Sequence, residues 1–171
     1  MVELYHISSY DYKVGESISM NLTCNYHNNT VVQQYGWVND FLDNARPERA
    51  PERKKSIYAF DNPDFCVEFF KKQYPGAIKT AKLYKVSMSE VRKVPIALVS
   101  YIREKGKGHS QLSDIANEYW VPTQNWKAYE YISNEMSIVE IIKIRNKKPW
   151  EYPSLLSLIT DDRDLLGLRF P

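Results

Sequence analysis

The sequence is poor in the residues and motifs that mark several common classes of protein. Only 2 of its 171 residues are cysteine, and neither Cys24 nor Cys66 stands in a Cys-x-x-Cys or histidine-rich context. We therefore predict no zinc site and no redox motif, and we expect reduced thiols of the cytosolic kind. His27 and His109 have no metal-ligating partners at a useful spacing, so no metal is expected. Glycine occurs 6 times, without the spacing of a phosphate-binding loop, and the Gly-x-Ser-x-Gly motif of serine hydrolases is lacking.

The charge and hydropathy of the chain exclude further classes. Lys and Arg number 23 against 21 Asp and Glu, and a net charge of +2 is too balanced to favour nucleic acid or an anionic membrane through overall charge. No apolar run approaches the roughly 20 residues that span a bilayer. The segment from Met1 to His6 has neither the basic nor the apolar region of a secretory signal. We therefore expect a cytoplasmic protein without a membrane partner.

The apolar pattern predicts strands and helices in irregular alternation. Strands are predicted at Glu3–Ser8, Ser56–Phe60, Ala81–Met88, Tyr129–Ile132 and Ser137–Ile144, and helices at Val31–Leu42, Asp61–Tyr74, Pro95–Arg103 and Leu112–Tyr119. The asparagine-rich residues 21–29 are predicted to form a loop. This mixture favours an α+β fold over a doubly wound sheet. One domain is expected over residues 1–148, and residues 149–171 form a C-terminal extension for which the sequence predicts no structure.

Uncharged side chains in two of the predicted strands could bind a ligand. His6 and Ser8 share one face of the first strand, where an imidazole and a hydroxyl could hold a ribose through paired hydrogen bonds. A core histidine satisfied by a neighbour is the alternative. Tyr58 lies near the end of a central strand, just before a helix, and could stack on a flat heteroaromatic ring or simply pack within the sheet.

Charged side chains supply two further candidates. Glu130 stands among aromatic residues at the start of a strand, where a partly desolvated carboxylate could steady a developing cation. The alternative is a solvent-facing glutamate, and Glu118 competes for the same role. Arg46, Arg49 and Arg53 lie on a proline-rich segment and could clamp a phosphate through bidentate hydrogen bonds, or form a solvated basic loop.

The order of these motifs resembles that of the ADP-ribosyltransferases, including rifampin ADP-ribosyltransferases and bacterial ADP-ribosyltransferase-like domains of unassigned function. Leu4–Ser8 followed by Gly15-Glu16 is similar to the first strand and turn of that family, and Arg46–Phe60 is similar to the second strand. Tyr129–Ile132 is similar to the Asn-Glu-Tyr-Ile segment of poly(ADP-ribose) polymerases and diphtheria-like toxins. The resemblance spans Glu3–Ile144 and implies two small, mainly antiparallel sheets flanked by helices.

The resemblance also implies roles for individual residues. The substrate would be NAD+, and ADP-ribose would pass to a protein, nucleic-acid or small-molecule acceptor that the sequence does not specify. In a His-Tyr-Glu triad, His6 would bind the nicotinamide-side ribose, Tyr58 would stack on nicotinamide, and Glu130 would orient the 2′-OH and steady the cation. Ser8 would bind the adenine-side ribose, and Arg53 joins the set expected to bind NAD+.

Alternatives remain open for one residue and for the activity. Glu118 and Glu135 are alternatives to Glu130 as the third member of the triad. An NAD+ glycohydrolase, with water as the acceptor, would use the same residues. A catalytically inactive binding module on the same fold is the third possibility, because a fold does not by itself imply activity.

Overall fold

A computed structural model describes residues 1–19, 30–74, 76–144 and 157–169. Within these ranges the chain forms the strands β1 (Val2–Ser8), β2 (Ser17–Ser19), β3 (Ile57–Ala59), β4 (Lys82–Met88), β5 (Arg92–Pro95), β6 (Tyr129–Ser133) and β7 (Glu135–Ile142). The helices are α1 (Thr30–Asn44), α2 (Pro63–Gln73), α3 (Ile96–Lys105), α4 (Leu112–Trp120) and α5 (Ser157–Arg169), with short 3-10 helices at Arg53–Lys55 and Ala77–Lys79. The expected α+β class is confirmed.

The strands form two antiparallel sheets. The first has the order β1-β4-β7-β2, and His6 lies opposite Tyr84 in its register. The second has the order β3-β6-β5, with Tyr58 opposite Ile132. An isolated bridge between Tyr5 and Phe60 joins the two sheets through N–H···O bonds of 2.8 and 2.9 Å. Strand β1 therefore runs beside β3, the outer strand of the second sheet.

Apolar side chains divide into clusters on the two sides of these sheets. One cluster contains residues of both sheets, among them Leu4 of β1 and both Ile57 and Ala59 of β3. A larger cluster joins α1, α3 and α4 to the second sheet through Val94 and Ile132. Because side chains alternate along a strand, His6 shares the face of Leu4, whereas Tyr58 lies on the opposite face of β3 from Ile57 and Ala59 and packs against the helical cluster.

The start of α2 follows the predicted capping pattern. The side chain of Asn62 accepts hydrogen bonds from the backbone N–H groups of Asp64 and Phe65 at 2.9 and 3.0 Å. Pro63 occupies the first turn, where its missing N–H costs no hydrogen bond. The cap begins α2 directly after the strand that carries Tyr58, and α2 packs against the β1 face that carries Ile7.

Several elements were not predicted. Strands β2 and β5 are short, and β5 reads Arg-Lys-Val-Pro, which is too brief for an alternating pattern to stand out. Pro95 belongs to β5, so the helix predicted from Pro95 begins one residue later. Residues 21–29, with Cys24 and His27, lie outside the described residues, as do Pro149 and Pro153.

The described part of the C-terminal segment is helix α5. Asp162 of α5 accepts hydrogen bonds from the backbone N–H groups of Lys127 and Ala128 at 2.8 and 2.9 Å, and Leu166 is fully buried in the helical cluster. These contacts attach α5 to the segment that leads into β6. None of the helices in the described part of the chain has the length and apolar character needed to cross a membrane.

Candidate functional site

The three predicted triad residues lie on three neighbouring strands. His6 is on β1, Tyr58 on β3 and Glu130 on β6, and β3 stands between the other two. The Nδ1 atom of His6 lies 2.8 Å from the backbone oxygen of Tyr58. Because a carbonyl oxygen can only accept, Nδ1 carries the proton of this hydrogen bond.

This hydrogen bond determines what the rest of the His6 ring can do. Burial lowers the pKa of His6, and its hydrogen bond to the Tyr58 carbonyl only partly offsets that effect. The ring is therefore neutral near pH 7, with a proton on Nδ1 and a lone pair on Nε2. Such a tautomer can accept a hydrogen bond from a sugar hydroxyl.

Ser8 and Tyr12 extend the polar face of β1 beyond His6. Ser8 is buried, and its Oγ accepts a hydrogen bond from the Tyr10 backbone N–H at 3.1 Å. The Tyr12 ring lies 6.5 Å from the His6 ring, centre to centre. Desolvation raises the pKa of Tyr12, partly offset by a hydrogen bond with Ser8. The predicted ribose-binding residues therefore have an aromatic neighbour that the sequence analysis did not identify.

A second group of side chains surrounds Arg53, on the other face of β3. The guanidinium is buried, pairs with the Glu130 carboxylate through Nη1, and donates from Nε to Asn39 Oδ1 at 3.0 Å. The rings of Tyr58 and Tyr119 flank it, with their centres 5.2 and 4.9 Å from Cζ. We call these five residues the Arg53 centre.

Hydrogen bonds from both tyrosines close the Arg53 centre. Tyr119 donates its hydroxyl proton to Glu130 Oε1 at 3.0 Å, and Tyr58 donates to the backbone oxygen of Arg53 at 2.5 Å. The side chains of Arg53 and Glu130 are each 5% exposed. The negative charge of Glu130 is therefore compensated by Arg53, and its neighbours shield the carboxylate from water.

The charges around Arg53 keep it ionised. Burial disfavours the guanidinium charge, but the carboxylate of Glu130 and the nearby Tyr58 and Asp43 outweigh that effect and raise the pKa of Arg53. Asp43 also accepts the backbone N–H of Arg53 at 2.6 Å. Desolvation nevertheless raises the pKa of Asp43, against the effect of these hydrogen bonds.

The structure thus brings some predicted site residues together and separates others. Tyr58, Arg53 and Glu130 form one group on the helical side of the second sheet. His6 and Ser8 are on β1, and their side chains lie on the opposite side of the sheets from this group. The described contact between His6 and the group is the hydrogen bond to the Tyr58 backbone oxygen. The triad residues are close along the sheets, but their side chains do not line one cavity in this conformation.

The alternative glutamates occupy different environments from Glu130. Glu118 is buried and accepts hydrogen bonds from the Thr123 backbone and the Trp126 indole, both at 3.0 Å, so it stabilises the turn after α4. Glu135 is exposed at the start of β7 and lines a shallow groove of about 200 Å³ with serines of neighbouring strands.

The three arginines of the proline-rich segment also differ in environment. Arg49 is exposed, and Arg46 is partly buried and pairs with Glu52 at 3.3 Å. Arg53 begins a 3-10 helix and is 4% exposed. The alternative of a solvated basic loop is wrong for Arg53, because Glu130 and Asn39 satisfy its guanidinium inside the protein. The phosphate clamp stays a prediction.

Sequence reasoning missed Asn39, Asp43 and Tyr119. Asn39 and Asp43 are four residues apart on α1, so both point to the same side of the helix, beside the buried Val38 and Leu42. Two polar residues four positions apart, next to an apolar stripe of the helix, could have indicated buried polar side chains. No sequence pattern distinguished Tyr119, because it follows the apolar spacing of α4 like any core residue.

Comparisons with known proteins add no assignment. No family model matches the chain, and no curated protein matches it. Among the described residues, no group of three or more His, Cys, Asp or Glu side chains is placed to hold a metal ion.

Proposed function

We propose that the chain is an NAD+-dependent mono-ADP-ribosyltransferase. The observation that carries the proposal is the 2.8 Å hydrogen bond from His6 Nδ1 to the Tyr58 carbonyl, which leaves Nε2 to accept a ribose hydroxyl. Strand β6, which carries Glu130, is the next strand beyond Tyr58. Three strands that are distant in sequence thus lie side by side, with the Tyr58 ring and the Glu130 carboxylate on the helical side of the second sheet and the His6 imidazole on the other side.

The reaction needs little acid catalysis from the protein. The bond between ribose C1′ and the nicotinamide nitrogen breaks, the bonding electrons leave with neutral nicotinamide, and an oxocarbenium-like ribose remains. A nucleophile on the acceptor then bonds to C1′ and loses its proton to solvent. A nearby carboxylate stabilises the developing cation, as in glycoside hydrolysis. Glu130 is the carboxylate that we assign to this step.

Glu130 must change partners to act in this way. Its carboxylate is paired with Arg53 and bonded to Tyr119, so its negative charge is already neutralised. We propose that NAD+ draws the Arg53 guanidinium toward the pyrophosphate, which a guanidinium binds in bidentate fashion, and that Glu130 turns to the ribose. In this proposal Arg53 binds NAD+ and Glu130 acts on the ribose.

Nicotinamide release from NAD+ tests the proposal. The wild-type chain should release nicotinamide, and Glu130→Gln should reduce the rate by about 10²–10³-fold. Glu135→Gln is the matched control, because Glu135 is an exposed glutamate outside the Arg53 centre and should keep the wild-type rate. Circular dichroism checks that Glu130→Gln is folded, and His6→Asn provides a second variant that should lower the rate. A wild-type chain that neither binds NAD+ nor releases nicotinamide contradicts the proposal.

The pairing of Arg53 with Glu130 favours a second candidate, a binding module without turnover. If the ion pair persists when NAD+ is bound, the Glu130 carboxylate is not available to steady the cation. Calorimetry would then detect NAD+ binding while nicotinamide release stays at the uncatalysed rate. Labelled NAD+ in a cell lysate separates the other outcomes, since a transferase labels an acceptor and a glycohydrolase yields free ADP-ribose.

A further inference from the structure

Tyr10 and Tyr12, which follow β1, form a stacked pair at the surface. Their ring centres are 6.0 Å apart and their planes are inclined by 29°. Tyr12 is half-buried and packs against Tyr84 with ring centres 5.4 Å apart, whereas Tyr10 is 51% exposed. The pair therefore has a half-buried inner ring and an outer ring that is about half exposed. We call it the tyrosine pair.

Hydrogen bonds hold the backbone of the tyrosine pair in place. Ser8 Oγ accepts the Tyr10 N–H at 3.1 Å, and Tyr84 Oη accepts the Tyr12 N–H at 3.2 Å. The same Tyr84 hydroxyl donates to the Tyr10 carbonyl at 2.7 Å. A stacked ring on a backbone held in this way loses little conformational freedom when a ligand covers it.

The tyrosine pair adjoins the residues expected to bind ribose. Tyr12 lies 6.5 Å from His6 between ring centres, and Ser8 Oγ accepts the backbone N–H of Tyr10 at 3.1 Å. In a nucleotide the base is attached directly to the ribose, so a base whose ribose binds Ser8 would lie within reach of these rings. A tyrosine face attracts any nucleobase, because every base has a π-face.

We propose that Tyr10 is the stacking platform for the adenine ring of the dinucleotide, with Tyr12 as its support. This inference rests on the proposed function, because it takes Ser8 as the residue that binds the adenine-side ribose. It adds a binding role for a residue outside the predicted triad. It also implies tolerance for other purines, because stacking alone does not distinguish hydrogen-bonding edges.

Calorimetric titration with AMP tests the platform separately from catalysis. We expect the wild-type chain to bind AMP, Tyr10→Ala to weaken binding about tenfold or more, and Tyr10→Phe to retain it. Tyr74→Ala is the matched control. Tyr74 is also exposed, at 43%, but caps α2, which packs on the opposite face of β1 from Ser8. GMP should bind within a fewfold of AMP. Wild-type binding of AMP that survives Tyr10→Ala, or no binding of AMP at all, overturns the proposal.

The same variants distinguish failure of the platform from failure of the proposed function. If AMP binds through Tyr10 but NAD+ releases no nicotinamide, the platform stands and the transferase assignment fails. If nicotinamide is released and Tyr10→Ala leaves KM for NAD+ unchanged, the transferase stands and the platform is refuted.

Discussion

The Arg53 centre and the tyrosine pair are built from similar parts in opposite surroundings. Each combines tyrosine rings with a neighbouring ion pair, Arg53–Glu130 in the first and Lys82–Asp11 beside the second. The first pair has side chains that are each 5% exposed, whereas Lys82 and Asp11 are 44% and 78% exposed. Access of water, rather than residue type, therefore distinguishes the closed Arg53 centre from the exposed surroundings of the tyrosine pair.

The difference in exposure changes what each ion pair contributes. A desolvated charge depends on its partner, because removal of the partner leaves a charge in a medium of low dielectric constant. An exposed pair is screened by water and salt, and water replaces whichever partner is lost. Variants of the two regions should therefore differ most where a charge loses its oppositely charged partner.

The largest effect is expected at Glu130. Glu130→Leu leaves the Arg53 guanidinium buried without its carboxylate, and we expect the free energy of unfolding to fall by about 3–5 kcal/mol. Urea denaturation followed by circular dichroism measures the loss. A decrease below about 1 kcal/mol would mean that water reaches the guanidinium, contrary to the 5% exposure of both side chains.

The matched control removes both charges. Arg53→Met together with Glu130→Leu replaces the ion pair by apolar groups of similar length, and such replacements are often close to neutral. The double variant should therefore be more stable than Glu130→Leu alone. If the two losses simply add, Arg53 and Glu130 do not depend on each other.

The second effect compares one hydroxyl in each region. Tyr119→Phe removes a donor to the buried carboxylate of Glu130, and hydrogen bonds to charged groups contribute about 1.5–3 kcal/mol. Tyr12→Phe removes the hydroxyl of a half-buried ring that is not bonded to a buried charge in the same way, and we expect a smaller loss of at most about 0.5–1.5 kcal/mol. Parallel urea titrations of the two variants measure both losses of unfolding free energy, and we expect the larger loss for Tyr119→Phe. Equal losses would argue against distinct environments.

The sequence predicted strand β1 and the start of α2 better than it predicted the Arg53 centre. Alternation along Glu3–Ser8 correctly places His6 and Ser8 on one face of β1, and the capping residues correctly start α2 after β3. These features depend on neighbours within a few residues along the chain. The sequence therefore contained enough local information to predict them.

The Arg53 centre depends on contacts that no local pattern encodes. Arg53 and Glu130 are separated by 77 positions, and Arg53 and Asn39 by 14. The two prolines near Arg53 indicated an exposed loop, yet tertiary contacts buried its side chain. Helix α5 was missed for a related reason, since it is positioned by Asp162 through the backbone of a distant segment.

A third prediction concerns the pH dependence of stability that arises from His6 on β1. Burial lowers the pKa of His6 below its ordinary value of 6.5, so between these two values the unfolded chain binds a proton that the folded chain does not. Stability therefore falls as the pH drops below about 6.5, by at most about 1.4 kcal/mol per pH unit from this group.

His6→Asn isolates that contribution. Asparagine keeps a donor on the side chain but cannot titrate, so the variant should lose less stability than wild type between pH 7.5 and pH 5.5. Denaturant titrations at both pH values give the difference. Parallel losses in the two proteins would show that the imidazole titrates in the folded state as it does in water.

The smallest effect is expected at the exposed ion pair. The hydrogen bond with Asp11 raises the pKa of Lys82, but both side chains lie in solvent beside the tyrosine pair. Asp11→Asn should therefore leave the free energy of unfolding unchanged within error, at low salt and at high salt alike. It should also leave AMP affinity unchanged, because the hydrogen bonds of Ser8 and Tyr84, not this ion pair, hold the backbone of the tyrosine pair. A clear loss of AMP binding in Asp11→Asn would transfer the supporting role from those hydrogen bonds to the ion pair, and the contrast between a buried pair that stabilises and an exposed pair that does not would then fail.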